Sequence, residues 1–99
     1  MTDQKKINAV YGYLESEFQG CKIRDGHDFN LDAQVFRITC RDSIYITGIS
    51  DELLEDEELD ASDISNLLQK SRLAEKLREV GNSNTCVIVT SKGLRLENE

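Results

Sequence analysis

The chain has no proline and no tryptophan, and only one histidine and one methionine in 99 residues. Without proline there is no stiff spacer to hold independent units apart. A chain this short supplies one core and not two, because the buried fraction falls quickly in units below about 60 residues. A single small α+β domain spanning residues 1–99 is therefore expected. No apolar run approaches the roughly 18 residues that a membrane helix needs. The opening MTDQKKIN has no apolar centre of the signal-peptide kind, so export is not expected. The three cysteines, Cys21, Cys40 and Cys86, are odd in number and show no CxxC spacing, which reads as reduced thiols and a cytoplasmic location.

Common signatures of catalysis are missing as well. There is no glycine-rich phosphate loop, no GxSxG elbow and no HExxH. A cysteine nucleophile would need His27, the only histidine, as its activating base, and Cys21 is the one candidate that lies in a polar neighbourhood. Cys40 and Cys86 fall in apolar strands and read as small hydrophobes. The four residues lack the short ligand spacing of a zinc site. No enzyme activity, metal or cofactor is expected, and a cysteine-dependent enzyme ranks third among the functional readings.

What the sequence has is charge of one sign, concentrated in one place. With 19 acidic residues against 12 basic ones the net charge is −7 and the pI about 4.7. Eight of the carboxylates lie in the thirteen residues Asp51 to Asp63, DELLEDEELDASD, leaving 11 acidic and 12 basic residues elsewhere. The run lacks the alternating ligands and glycine of a calcium loop. Leu53, Leu54 and Leu59 interrupt it and should anchor it to the core as an ordered acidic corner. Its ordinary explanation is a solvated connection. Its functional reading is a face formed by Glu55, Asp56, Glu57, Glu58 and Asp60 that receives a basic patch on a protein partner. Anionic membranes and nucleic acids are disfavoured by the same charge.

Periodicity gives the elements. Ile7, Val10, Tyr11, Leu14 and Phe18 recur at helical spacing after a Thr2 or Asp3 cap, with Gly12 on the exposed side and Gly20 ending the helix. Cys21 to Arg24 reads as a short strand ended by an Asp25-Gly26 turn. From Gln34 to Ile49 the period becomes two, an antiparallel hairpin. A three-residue loop, Arg41-Asp42-Ser43, is expected there, because it sets Ile44 and Ile46 beside Phe36 and Ile38. Ser50 caps a helical turn, DELLED, and Asp60 or Ser62 opens a longer helix with Ile64, Leu67 and Leu68 inward. Leu73, Leu77 and Val80 lie half a turn away, so the helix should break at Gln69 to Ser71, with Ser71 capping a second helix closed by Gly81. Cys86 to Val89 is a central strand and Leu94 to Leu96 a short final one, completing an antiparallel sheet (34–49, 85–90, 94–96) with helices on one face. Exposed strand edges make a homodimer compatible with this fold.

Two resemblances follow. The order helix, turn, helix, strand pair from Ile64 onward, ending in VTSKGLRL, resembles winged-helix DNA-binding domains. It implies a nucleic-acid regulator as the alternative function, with Arg72, Lys76 and Arg78 on the second helix and Lys92 and Arg95 on the wing. In size, acidity and element order the chain is also similar to the small dimeric chaperones of bacterial secretion systems, which implies a domain that works by binding. The preferred expectation is a non-catalytic protein-binding module.

Overall fold

The computed structural model describes residues 4–81 and 84–98. Thr2 and Asp3, the expected caps, and Asn82-Ser83 of the GNSN turn lie outside them. The elements are α1 (Gln4–Glu17), β1 (Lys22–Asp28), β2 (Ala33–Thr39), β3 (Ile44–Ser50), α2 (Asp51–Glu55), α3 (Ala61–Lys70), α4 (Leu73–Val80), β4 (Thr85–Thr90) and β5 (Gly93–Asn98). They form one five-stranded sheet in the order β1-β2-β3-β4-β5, with the helices against one face.

The α+β class and the helix-on-sheet arrangement are as expected, but the sheet is mixed. β3 and β4 pair in parallel because α2, α3 and α4 carry the chain back to its starting end before β4 begins. All other pairings are antiparallel. β4 is central, between β3 and β5, and its Cys86 to Val89 are buried, as the unbroken apolar run predicts.

Two expectations about the strands are corrected. β1 runs straight through Asp25-Gly26, and its turn falls instead at 29–32, where Asp28 Oδ1 accepts from the N–H groups of Asn30 and Leu31. The β2–β3 hairpin has a two-residue loop, Arg41-Asp42, with Cys40 N–H donating to Ser43 O at 2.8 Å. Tyr45 and Thr47, not Ile44 and Ile46, therefore share the helix face with Phe36 and Ile38. A three-residue loop would follow if only one face of the hairpin were apolar. In fact Ala33, Val35, Ile46, Cys86 and Ile88 form a second, smaller cluster on the face away from the helices. Thr47 is tolerated in the main core because its hydroxyl donates to Val87 O at 2.7 Å. Gly48 lies inside the second cluster, where a Cβ would come within 3.3 Å of the Ala33 Cβ.

The cysteine expectation is also corrected. Cys21 and Cys40 are joined by a disulfide, and Cys86 alone is free. Cross-strand register, not sequence spacing, brings the pair together: Cys21 precedes Lys22, which pairs with Thr39, the neighbour of Cys40. The cysteine count therefore no longer argues for a reducing compartment. Among the described residues no helix is long and apolar enough to cross a membrane.

α1 is the hub of the helical layer. Its Ile7, Val10 and Leu14, and Phe18 just after it, are buried as the spacing predicts, whereas Tyr11 is half-buried, and Gly12 faces open space. It also completes the start of α4. Tyr13 is buried and its hydroxyl accepts from Ala74 N–H at 3.1 Å, which satisfies a free donor at the start of α4. That start needs outside help: its N-cap is Arg72, at φ 56°, and not the expected Ser71, and it has no side-chain cap. In return, Arg78 of α4 donates to Glu17 O at the end of α1 and lies over the Phe18 ring at 4.8 Å. α3, by contrast, caps itself, with Asp60 and Asp63 forming a reciprocal capping box.

Candidate functional site

Lys6 decides the shape of the acidic corner. It lies on α1 one residue before the apolar stripe begins, and it is 2% exposed. Its ammonium donates to three main-chain carbonyls, Leu53 O at 3.4 Å, Leu54 O at 3.2 Å and Asp56 O at 2.5 Å. An ammonium has three protons, so its donors are matched one to one. The acceptors belong to the last turn of α2 and the residue after it, where carbonyls lack helical partners and the helix end favours a cation. Leu53 and Leu54 are buried beneath, and Leu59 packs against the same core. The corner is therefore fixed from below by two leucines and a lysine.

This anchoring divides the carboxylates into two groups. Asp51 pairs with His27 at 2.8 Å, which ties the start of α2 to β1. Asp56 Oδ1 accepts from Glu58 N–H at 2.9 Å and shapes the turn. Asp60 and Asp63 are taken up by the capping box. The remaining four, Glu52, Glu55, Glu57 and Glu58, are exposed and make no ion pair among the described residues. Of the five residues the sequence singles out, Glu55, Glu57 and Glu58 thus face solvent as free charges, while Asp56 and Asp60 hold the backbone that presents them.

The five candidate nucleic-acid cations do not converge. Arg72 is 3.9 Å from Glu75, and Lys76 is 3.5 Å from Glu79. Arg78 is committed to Glu17 O. Lys92 lies in the β4–β5 turn, and Arg95 projects from the sheet face away from the helices, paired with Glu97 at 3.1 Å. β4 and β5 are integral strands of the main sheet, so their hairpin is not a free wing.

A second polar group lies where α1 crosses β1. The Tyr11 hydroxyl donates to Asp25, whose other oxygen accepts from Gln34 Nε2 at 2.7 Å. Burial and the bond to Asp25 push the Tyr11 hydroxyl up to about 12, so it stays a donor at neutral pH. Nearby, His27 lies on β1 and not in a loop, with its ring edge against Phe29 at 4.5 Å. The cysteines offer no nucleophile beside it. Cys21 and Cys40 are bonded to each other, and burial raises the Cys86 thiol to about 11. Among the described residues no group of three or more His, Cys, Asp or Glu could hold a metal.

Sequence reasoning missed Lys6, Tyr13 and Gln34. The signal for Lys6 was weak but present: it is one step from Ile7 on the face that the stripe turns inward. Comparison with known protein families, with curated proteins and with solved structures finds no match to this chain.

Proposed function

We propose that this chain is a non-catalytic protein-binding domain, and that Glu55, Glu57 and Glu58 form its docking element for a basic patch on a partner protein. The observation that carries the reading is the Lys6 clamp, with its three carbonyl contacts. A floppy acidic run costs ordering entropy on binding, whereas a corner already held in one conformation does not. The exposed glutamates supply a local field that steers a cationic partner and weakens as salt screens it. The cytoplasmic setting first expected rested on the lack of a spanning run and of a signal-type start as well as on reduced cysteines, and the Cys21–Cys40 bond takes away the last of these supports.

The test uses a short peptide of alternating lysine and alanine, titrated into ¹⁵N-labelled protein at low ionic strength. The first resonances to move should be those of Glu55, Glu57 and Glu58. Replacing all three with Gln removes three exposed attractions of about 0.5 kcal/mol each, so affinity should fall roughly tenfold. Undiminished affinity in the triple variant, or shifts led by Glu75 and Glu79, would overturn the reading.

A further inference from the structure

Of the two outer strands of the sheet, β1 and β5, β1 carries the more exposed residues. It has β2 on one side only, and all its residues except Ile23 and Asp28 are exposed. The hydrogen-bond parity of its main chain follows from the hairpin. Cys40 N–H donates to Ser43 O, so Cys40 and alternate residues back along β2 point their main chains at β3. Thr39, Arg37, Val35 and Ala33 then point at β1 and meet Lys22, Arg24, Gly26 and Asp28. The Cα separation of Cys21 and Cys40, 4.4 Å, matches the roughly 4.5 Å of a pair that is not hydrogen-bonded, as this parity requires. Ile23, Asp25 and His27 consequently present their N–H and C=O groups outward, away from the sheet.

The side chains along this edge select what can pair with it. Lys22 and Arg24 project on the sheet face that carries no helix, and Arg37 stands directly across from Arg24. A carboxylate on a strand laid beside Lys22 and Arg24 would pair with either cation. Next to them Gly26 leaves a depression of about 240 Å³ whose lining includes Arg24, Val35 and Arg37. At the far end Asp28 shares this face, so acidic side chains fit the Lys22–Arg24 end alone. A second copy of β1 laid antiparallel in the register centred on Asp25 would set Asp25 against Asp25, and each copy carries net charge −7, so self-pairing is opposed by like charge. Nucleic acid is poorly matched, since among the described residues the strands place no aromatic side chain on this face for base stacking, and the chain carries net charge −7. The disulfide at Cys21 and the 2.8 Å bond from His27 to Asp51 fix the edge at both ends, so it is preorganised.

We propose that the free edge of β1 takes up an extended segment of a partner protein in which two carboxylates, two residues apart, align with Lys22 and Arg24. This surface is distinct from the acidic corner, opposite to it in charge, and does not depend on it. Main-chain bonds to Ile23, Asp25 and His27 give affinity, and the two cations give selectivity for acidic sequence.

A short synthetic peptide of alternating glutamate and valine, titrated into ¹⁵N-labelled protein at low salt, tests this. Shifts should centre on residues 21–28, and amide exchange should slow by about tenfold or more at Ile23, Asp25 and His27 as their N–H groups become bonded. Arg24→Glu and Lys22→Glu, both at exposed positions, should each keep a native amide spectrum and weaken binding about tenfold. Four results overturn the proposal: no binding at saturating peptide, equal shifts at residues 21–28 with the lysine-for-glutamate analogue, binding that leaves those three amides exchanging as before, or the same protection arising from self-association without peptide. Shifts at Arg24 and Arg37 with inorganic phosphate but no amide protection would mark a bare anion site and also refute it.

Discussion

Replacing Lys6 by Met isolates the clamp from its packing, because Met keeps a long apolar stem in the same space and removes only the ammonium. Bonds from a charged donor contribute about 1.5–3 kcal/mol each, so three give a gross figure of roughly 5–9 kcal/mol. Burying an ammonium costs several kcal/mol, which offsets much of this. Buried charge pairs can often be replaced by apolar residues without loss, but that requires both partners to be replaced. Here the acceptors are the carbonyls of Leu53, Leu54 and Asp56, which no substitution removes. A net loss of about 3 kcal/mol is therefore expected. At roughly 4–8 °C per kcal/mol for a domain of this size, Tm should fall by about 12–24 °C.

Thermal unfolding by circular dichroism reads the global effect, and amide hydrogen exchange reads the local one. Exchange across 53–59 should accelerate more than in β4, whose residues Cys86 to Val89 are buried. At temperatures where the variant is folded, its affinity for the lysine–alanine peptide should fall although Glu55, Glu57 and Glu58 are untouched. If Tm moves by less than about 3 °C and exchange across the corner is unchanged, the clamp reasoning fails.

The cysteines give two further tests. Unfolded without reductant, the protein should expose one reactive thiol, Cys86, and after reduction three; three thiols without reductant would exclude the Cys21–Cys40 bond. The bond closes a loop with a sequence separation of 19, so Cys21→Ala with Cys40→Ala should cost about 3 kcal/mol, read from urea midpoints at constant pH. Alkaline stability tests Cys86. Burial holds its thiol neutral to about 11, against 9.0 in the unfolded chain, so the unfolded state loses its proton first. Stability present below pH 9 should fall by about 2–3 kcal/mol between pH 9 and 11. Tyr11, raised from 10.0 to about 12, acts in the same direction over the higher range. Cys86→Ala should flatten the slope between pH 9 and 11; parallel slopes in the two proteins would refute the assignment.

The parts of the fold that were legible in the sequence are those set by neighbours along the chain. The α1 stripe, the helix start near Asp60, the break before Leu73 and the buried β4 run all depend on residues within a few positions of one another. What escaped depends on distance. The hairpin parity could not be decided without knowing that β4 lies beside β3 and brings Cys86 and Ile88 to the second face. The disulfide needed the β1–β2 register. Lys6 and Leu54 are 48 positions apart, and Tyr13 and Ala74 are 61 apart. Of the candidate site, the sequence identified the charges but could not separate the carboxylates that build the corner from those it displays.

That separation bears on how an acidic chain can carry surfaces of both signs. The mixed sheet places every helix, and with them the 51–63 corner, on one side. The opposite face receives what alternation sends there from β1 and β2, namely Lys22, Arg24 and Arg37. The free glutamates and these cations thus lie on opposite sides of the sheet, and salt screens what coupling of exposed charges remains. Each surface therefore keeps its own local sign despite the net charge of −7. A consequence is that charge changes at the two sites should be additive. Neutralising Glu55, Glu57 and Glu58 should leave the affinity of the glutamate–valine peptide for β1 nearly unchanged, and Arg24→Glu should do the same for the lysine–alanine peptide at the corner.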